Sequence, residues 1–177
     1  MNTSDFININ YISEDESTPV NIITENDKEL LNIDKPDDIE DKSKGASFFL
    51  KVFPDMKLSK IKEILKDCGV VGYQNNKGEI LAAYCYRLFP NKKNRKGNWV
   101  EVPLVGVDEN ERGMGWGGKL LKDIDDWLDY NNHKIFLHAY PNAVSFYKKY
   151  NYFERNENSI PKELRAPQGL IFMMKEK

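Results

Sequence analysis

The sequence predicts an α/β protein in which strands and helices alternate along one chain, and three observations carry that reading. Residues 70–73, 80–89, 99–107 and 135–140 are apolar runs of strand length and composition. Leu58, Ile61, Ile64 and Leu65, and later Leu120, Leu121, Ile124, Trp127 and Leu128, recur at helical spacing. Between residues 107 and 120 a strand passes through a glycine-rich turn into one of those helices. Such alternation, without an internal repeat, packs into layers around one core. A single domain is expected over residues 1–177, with residues 1–45 an acidic segment that is in part an extension.

The chain has 177 residues, enough for a core, with 40% hydrophobic and 31% charged residues as in soluble globular proteins. No apolar run approaches the roughly 20 residues of a membrane helix. Residues 1–10 lack a basic start followed by an apolar stretch, so no signal peptide is expected and the cytoplasm is the expected compartment. Cys68 and Cys85 lie far apart and read as reduced thiols. Two cysteines and two histidines without ligand spacing predict no metal site. Charge is uneven: residues 1–43 hold 12 acidic and 3 basic residues, net −9, which leaves +7 on residues 44–177. A basic core suits an anionic ligand. No dense basic run with interleaved aromatics is present, so no nucleic-acid partner is expected.

In order, residues 6–12 and 20–23 are candidate strands, and Thr24 with Asp27 resembles a helix start. Residues 34–45 are charged, contain Pro36 and Gly45, and read as a loop. Residues 48–53 fit strand or helix. The helix after Met56 is expected to end at Gly69 as a left-handed terminator. Residues 75–78 read as a turn, and residues 80–89 as a long strand buried on both faces. Residues 90–98 read as a basic surface turn. Pro103 cannot donate to a ladder, so the strand at 99–107 should bulge or splay there. Lys119/Asp123 and Lys122/Asp126 read as solvated pairs on the outer face of the following helix. His138, on the strand at 135–140, reads as a packed or surface residue. Pro141 and Asn142 open a helix over 143–150, and Asn151 should end it in the left-handed conformation. Residues 170–174 read as a final strand.

Gly113, Gly115, Gly117 and Gly118 sit where a helix begins, so several backbone N–H groups meet the positive end of a helix dipole. Three templates compete for them. A dinucleotide fingerprint needs an acidic residue at the end of the next strand, and residues 135–140 hold none. A P-loop needs Ser or Thr after the lysine, and Leu120 stands there. The pattern R-x-x-G-x-G is filled by Arg112, Gly115 and Gly117. A turn that merely tightens a strand–helix junction is the plainer alternative.

The Arg112–Gly117 pattern resembles the acyl-CoA pyrophosphate loop of the GNAT superfamily of N-acetyltransferases. Residues 143–152 resemble the family's second signature, A-x-x-(aromatic or aliphatic)-Y-x-K-x-G-F, with Asn151 for Gly and Tyr152 for Phe. Both blocks stand in the family's order, with one strand between them. The resemblance covers residues 56–175. It implies a mixed, mostly antiparallel central sheet of six to seven strands, helices on both faces, and a splay between the fourth and fifth strands.

The resemblance also implies roles by position. Backbone groups of Val105 and Val107 would bond the pantetheine arm of acetyl-CoA, and an N–H near Gly106 would stabilise charge on the thioester oxygen. The amides of Gly113, Met114, Gly115, Trp116, Gly117 and Gly118 would hold the pyrophosphate, with Arg112 at the start. Asn142 stands near the position of an asparagine that contacts the cofactor. Tyr147 would donate to the leaving sulfur. Glu101 would take the proton from the attacking amine, and with unbroken alternation it shares a face with Val105 and Val107. The implied reaction is acetyl transfer from acetyl-CoA to a primary amine by direct attack in a ternary complex. The implied acceptor is a small-molecule or protein amine, and a homodimer is allowed. A non-catalytic acyl-CoA binder is the alternative function.

Overall fold

The two longest apolar strands form the middle of the sheet. β3 (Ile80–Phe89) and β4 (Trp99–Val107) pair antiparallel. The structure is a computed structural model, and it describes residues 36–89, 99–131, 134–156, 158, 162–165 and 169–175. The strands expected at residues 6–12 and 20–23, the helix start at Thr24 and the turn at 90–98 lie outside the described residues, as do the side chains of Trp127 and Leu128.

Beside β3 lie β2 (Gly69–Gln74) and then β1 (Asp37–Asp38). Beside β4 lies β5 (Lys134–Ala139), and β6 (Tyr152–Glu154) forms the far edge. The last strand, β7 (Ile171–Lys175), inserts between β5 and β6. The order is therefore β1-β2-β3-β4-β5-β7-β6, seven strands. β4 and β5 run parallel and every other pair is antiparallel, the mixed sheet that was expected.

The helices cover both faces. α1 (Lys42–Val52) starts inside the stretch that reads as a loop. Asp41 explains this: its carboxylate accepts from the Ser43 N–H at 2.8 Å and the Lys44 N–H at 3.4 Å, a side-chain N-cap. The ambiguous run at 48–53 is helical through Val52, with Phe48, Phe49 and Val52 buried. α2 (Leu58–Leu65) buries Ile61 and Leu65. Its end is not made by Gly69, which opens β2 instead. A Cβ at 69 would come within 2.6 Å of the ring of Tyr86, its partner on β3, so this glycine makes room for that ring. α1 and α2 share a core with Ala83, Cys85 and Leu104 of the sheet.

On the opposite face lie α3 (Trp116–Asn131) and the short α4 (Val144–Lys148). Leu120, Leu121 and Ile124 of α3 are at most 1% exposed and join Val105, Val107 and Tyr147 in the larger core cluster. Each such side chain contributes about 1.5–3 kcal/mol by leaving water. The Lys119/Asp123 pair does not face solvent as expected. Lys119 Nζ stands 4.7 Å from the Tyr73 ring centre, and Asp123 accepts from the Tyr73 hydroxyl. A 3₁₀ turn at Pro141–Ala143 precedes α4, and Asn151, at φ 61°, ends that segment in the left-handed region as expected.

Candidate active site

The site is built around a bulge. Opposite β3, Cys85 pairs with Leu104 but Arg87 pairs with Glu101, two steps against three. The extra residue falls in the stretch that holds Pro103, which has no N–H to give. The bulge reverses the strand's faces. Val100, Val102, Val105 and Val107 pack together in the core beneath α3, whereas Leu104 joins the α1–α2 core. Glu101 therefore does not share a face with Val105 and Val107, contrary to the expectation from unbroken alternation.

Pairing between β4 and β5 stops at Glu101–Phe136. Beyond that rung the strands separate. The Asp108 N–H donates to the Leu81 carbonyl at 2.8 Å, continuing the ladder to β3. Because an antiparallel ladder alternates, Gly106 bonds to Ala83, its partner on β3, and the N–H and C=O of Val105 and Val107 turn toward the β5 side. The Gly106 amide is spent on β3, so the neighbouring amides that face the splay are those of Val105 and Val107.

Downstream, Asp108 organises the approach to the glycines. Its carboxylate accepts from the Asn110 N–H at 3.1 Å, capping the 3₁₀ turn at Glu109–Glu111, and from Lys51 Nζ of α1. Arg112 is extended and leads into Gly113 and Gly115, both at φ 81°. L side chains rarely adopt that conformation. A Cβ at either position would meet nothing within 4 Å, so open space borders both glycines. Met114, between them, is exposed.

The first helical hydrogen bond of α3 is Lys119 N–H to Gly115 O, 3.1 Å. The amides of Trp116, Gly117 and Gly118 accordingly have no carbonyl within the helix and point out of its start. The Trp116 indole turns inward, donates to Glu111 Oε2 at 3.2 Å and packs 5.0 Å from the Tyr73 ring. Its side chain braces the loop while its amide points out of the helix start. Gly118 has a packing role: a Cβ there would stand 2.2 Å from the Tyr150 hydroxyl oxygen.

Glu101 is 7% exposed and sits at the vertex of the splay. Arg87, directly opposite on β3, donates Nε to Glu101 Oε2 at 2.9 Å and Nη2 to the same oxygen. The other oxygen, Oε1, lies 3.6 Å from His138 Nδ1. His138 Nε2 is 3.0 Å from the Leu164 carbonyl. A carbonyl only accepts, so Nε2 carries the hydrogen, and in the neutral ring Nδ1 is the acceptor. One further proton therefore has a place between Nδ1 and Oε1. Arg87 was not picked out from the sequence, and His138, read there as a packed or surface residue, is indeed packed, against Phe136 and Phe172. The signals were there: Arg87 is the one charged residue in β3, and His138 lies two residues after Phe136, the partner of Glu101.

Tyr147 is wholly buried on α4, its ring 5.3 Å from Phe146 and 5.9 Å from Tyr152. Burial raises its phenol well above the usual tyrosine range, so the group stays protonated. Asn142 is exposed in the turn after β5 and joins none of these contacts. Among the described residues no group of three or more His, Cys, Asp or Glu could hold a metal ion.

Residues 30–152 match the family model described as acetyltransferase (GNAT) family. The chain belongs to the GNAT acetyltransferase family. No curated protein matches its sequence. Many solved structures share the fold. A GNAT-family acetyltransferase from Staphylococcus aureus Mu50 superposes with a TM-score of 0.62 at 16% identity, covering 80% of this chain and 97% of that one. Arabidopsis thaliana Naa50, in complex with the bisubstrate analogue CoA-Ac-MVNAL, gives 0.60 at 24% identity over 81% and 98%. The Tetrahymena GCN5 histone acetyltransferase domain, in complex with coenzyme A, gives 0.57 at 17% identity over 80% and 90%.

This GNAT chain fits an acyl-CoA. The left-handed glycines leave open space over outward-pointing amides, and β4 turns unpaired backbone toward the splay. A cleft of about 230 Å³ adjoins the loop, lined by Lys51, Val52, Phe53, Asp55, Glu109 and Arg112 among others. Val52 reaches the middle of the splayed segment, for a Cβ at Gly106 would lie 3.1 Å from its Cγ1. Among the described residues no helix is long and apolar enough to cross a membrane.

Proposed function

We propose that this chain transfers the acetyl group of acetyl-CoA to a primary amine by direct attack in a ternary complex. The observation that carries the proposal is the end of β4–β5 pairing at Glu101–Phe136, on the strand that leads into the open glycine turn. The valine backbone turned toward the splay suits the pantetheine arm, and the α3 start suits the pyrophosphate. Acetyl-CoA supplies an acyl thioester. The chain's own residues supply orientation and proton handling. The 230 Å³ cleft is our assignment for the incoming amine, and its walls carry both signs, Asp55 and Glu109 beside Lys51 and Arg112.

An ammonium must lose a proton before its nitrogen can attack. Glu101 with His138 is the acceptor for that proton, directly or through water, because the place between Oε1 and Nδ1 is built for one. Tyr147 donates a hydrogen bond to the departing sulfur rather than a full proton, since burial strengthens its hold on hydrogen. The valine amides facing the splay stabilise charge on the thioester oxygen.

The test measures release of free thiol from acetyl-CoA with a panel of polyamines, aminoglycosides and short peptides, with mass spectrometry of the products. Peptides belong in the panel because the Naa50 structure holds an analogue joining CoA to one. The expected result is acetylation of at least one amine. Tight acetyl-CoA binding without thiol release would favour the alternative, a non-catalytic acyl-CoA binder. The full burial of Tyr147 and the engagement of Glu101 by Arg87 are the features that fit it.

A further inference from the structure

We infer that Arg87 is a positioning residue that sets where Glu101 and His138 hold the transferred proton. The inference rests on the acetyltransferase reading above and deepens it. Arg87 and Glu101 face each other in register just past the bulge, so the same backbone irregularity that turned Glu101 also placed it against the guanidinium. Both Arg87 donors go to one oxygen, Oε2. A planar guanidinium holds a carboxylate's orientation as well as its charge. The consequence is that Oε1 is turned to His138 and Oε2 is already satisfied.

The proton balance follows. The ammonium nitrogen loses one proton, His138 Nδ1 gains it, and the proton later leaves to solvent; no other bond changes. Arg87 fixes where that uptake happens: with Oε2 held by the fork, it is Oε1 that faces Nδ1. Among the described residues, the charged and titratable groups of this cluster are Arg87 on β3, Glu101 on β4 and His138 on β5, with the Cys68 and Cys85 thiols behind them. The Phe136 and Phe172 rings, 5.6 Å and 5.7 Å from the His138 ring, keep the imidazole flanked by apolar surface. Arg87 itself packs on Phe89, 5.1 Å to the ring centre, which anchors the guanidinium independently of Glu101.

The experiment compares wild type with Arg87→Met and Arg87→Lys in the full chain. Two readouts are taken: kcat and KM with the best amine, and the positions of the His138 ring signals in NMR at one fixed pH. The chain has only two histidines, so His133 is an internal reference. For Arg87→Met we expect kcat to fall at least about tenfold, KM for acetyl-CoA to stay within about twofold, and the His138 signals to move while those of His133 stay, because Oε1 is no longer held toward the imidazole. Arg87→Lys keeps the charge but not the fork, so kcat recovers only in part. Unmoved His138 signals in Arg87→Met would overturn the inference. A kcat loss with lowered thermal stability and equal movement of both histidines' signals would overturn it too, as a merely structural role. If wild type acetylates no amine, the functional reading fails, and the NMR arm still decides whether Arg87 governs the pair.

Discussion

Gly118 and Tyr150 approach so closely that a Cβ at 118 would stand 2.2 Å from the Tyr150 hydroxyl oxygen and 2.9 Å from its ring carbon Cζ. One glycine at the start of α3 is therefore fixed by packing of that helix on the residues after α4. The Tyr150 ring is tilted on Phe146 at 5.2 Å and half-buried, so it can yield only by leaving that contact. Gly118→Ala should cost about 1–3 kcal/mol, the usual range for overpacking. Tyr150→Ala should cost less in the Gly118→Ala background than in wild type, because the clash partner is gone. Denaturant unfolding of the four proteins in a double-mutant cycle checks this coupling. Additive effects would remove the contact from the explanation.

Gly113 and Gly115 have a different origin. No atom crowds either position, and both sit at φ 81°. A β-branched residue at 115 is strained by its backbone rather than by neighbours. Gly115→Val should reshape the turn and lower acetyl-CoA affinity by at least about tenfold, an effect of roughly 1.4 kcal/mol or more. The protein should stay folded, because the loop is exposed. Isothermal titration calorimetry with circular dichroism reads both. Wild-type affinity would sink the pyrophosphate-cradle assignment.

Asp108 links α1 to this loop. Asp108→Ala removes the cap of the 3₁₀ turn and the partner of Lys51. Loss of such a cap costs about 0.5–2 kcal/mol. The larger consequence should be a several-fold rise in KM for acetyl-CoA at nearly constant kcat, since Arg112 follows directly on that turn. Steady-state kinetics separates the two constants.

The extent to which this design was legible in the sequence follows from the range of the forces. Strand and helix identity, the glycine turn and the left-handed Asn151 are local, so spacing and backbone preference revealed them. The bulge was half legible. Pro103 announced an irregularity, yet which face Glu101 took depended on how many residues β4 spent between Leu104 and Glu101, and only the partner strand fixes that. The Arg87–Glu101–His138 cluster joins three strands and depends on register, which no single stretch encodes. The start of α1 was missed for a smaller reason: one aspartate, Asp41, outweighed the charged, Pro- and Gly-containing composition around it. Gly69 looked like a helix terminator because the Tyr86 ring that requires it is 17 residues away in sequence.

Alkaline pH should expose the buried phenols. Burial raises the proton affinity of Tyr73, Tyr84, Tyr147 and Tyr152 in the fold. Unfolded tyrosine ionises near about pH 10. The folded values lie above the unfolded one, so this stabilisation is fully present below about pH 10 and is lost as pH rises toward the folded values. Each wholly buried phenol adds a slope of about 1.4 kcal/mol per pH unit in that window. Tyr147→Phe should make the decline shallower by about one proton, measured by urea unfolding between neutral pH and about pH 11. An unchanged slope would mean that Tyr147 ionises freely in the native protein.

The same burial constrains what Tyr147 does in turnover. A thiol leaving group ionises near about pH 8.5. A phenol held well above about 10 cannot give its proton fully to such a thiolate, but it can hydrogen-bond to it. One hydrogen bond to a charged group is worth about 1.5–3 kcal/mol. Tyr147→Phe should therefore lower kcat roughly 10- to 150-fold, and acetyl-CoA affinity should change little, because the ring and its packing remain. The decisive comparison uses acetyl thioesters with progressively more acidic leaving groups. If Tyr147 stabilises the departing sulfur, the penalty of Tyr147→Phe shrinks as the leaving group becomes better. A penalty independent of the leaving group would place the role of Tyr147 in packing α4 against the splay rather than in chemistry.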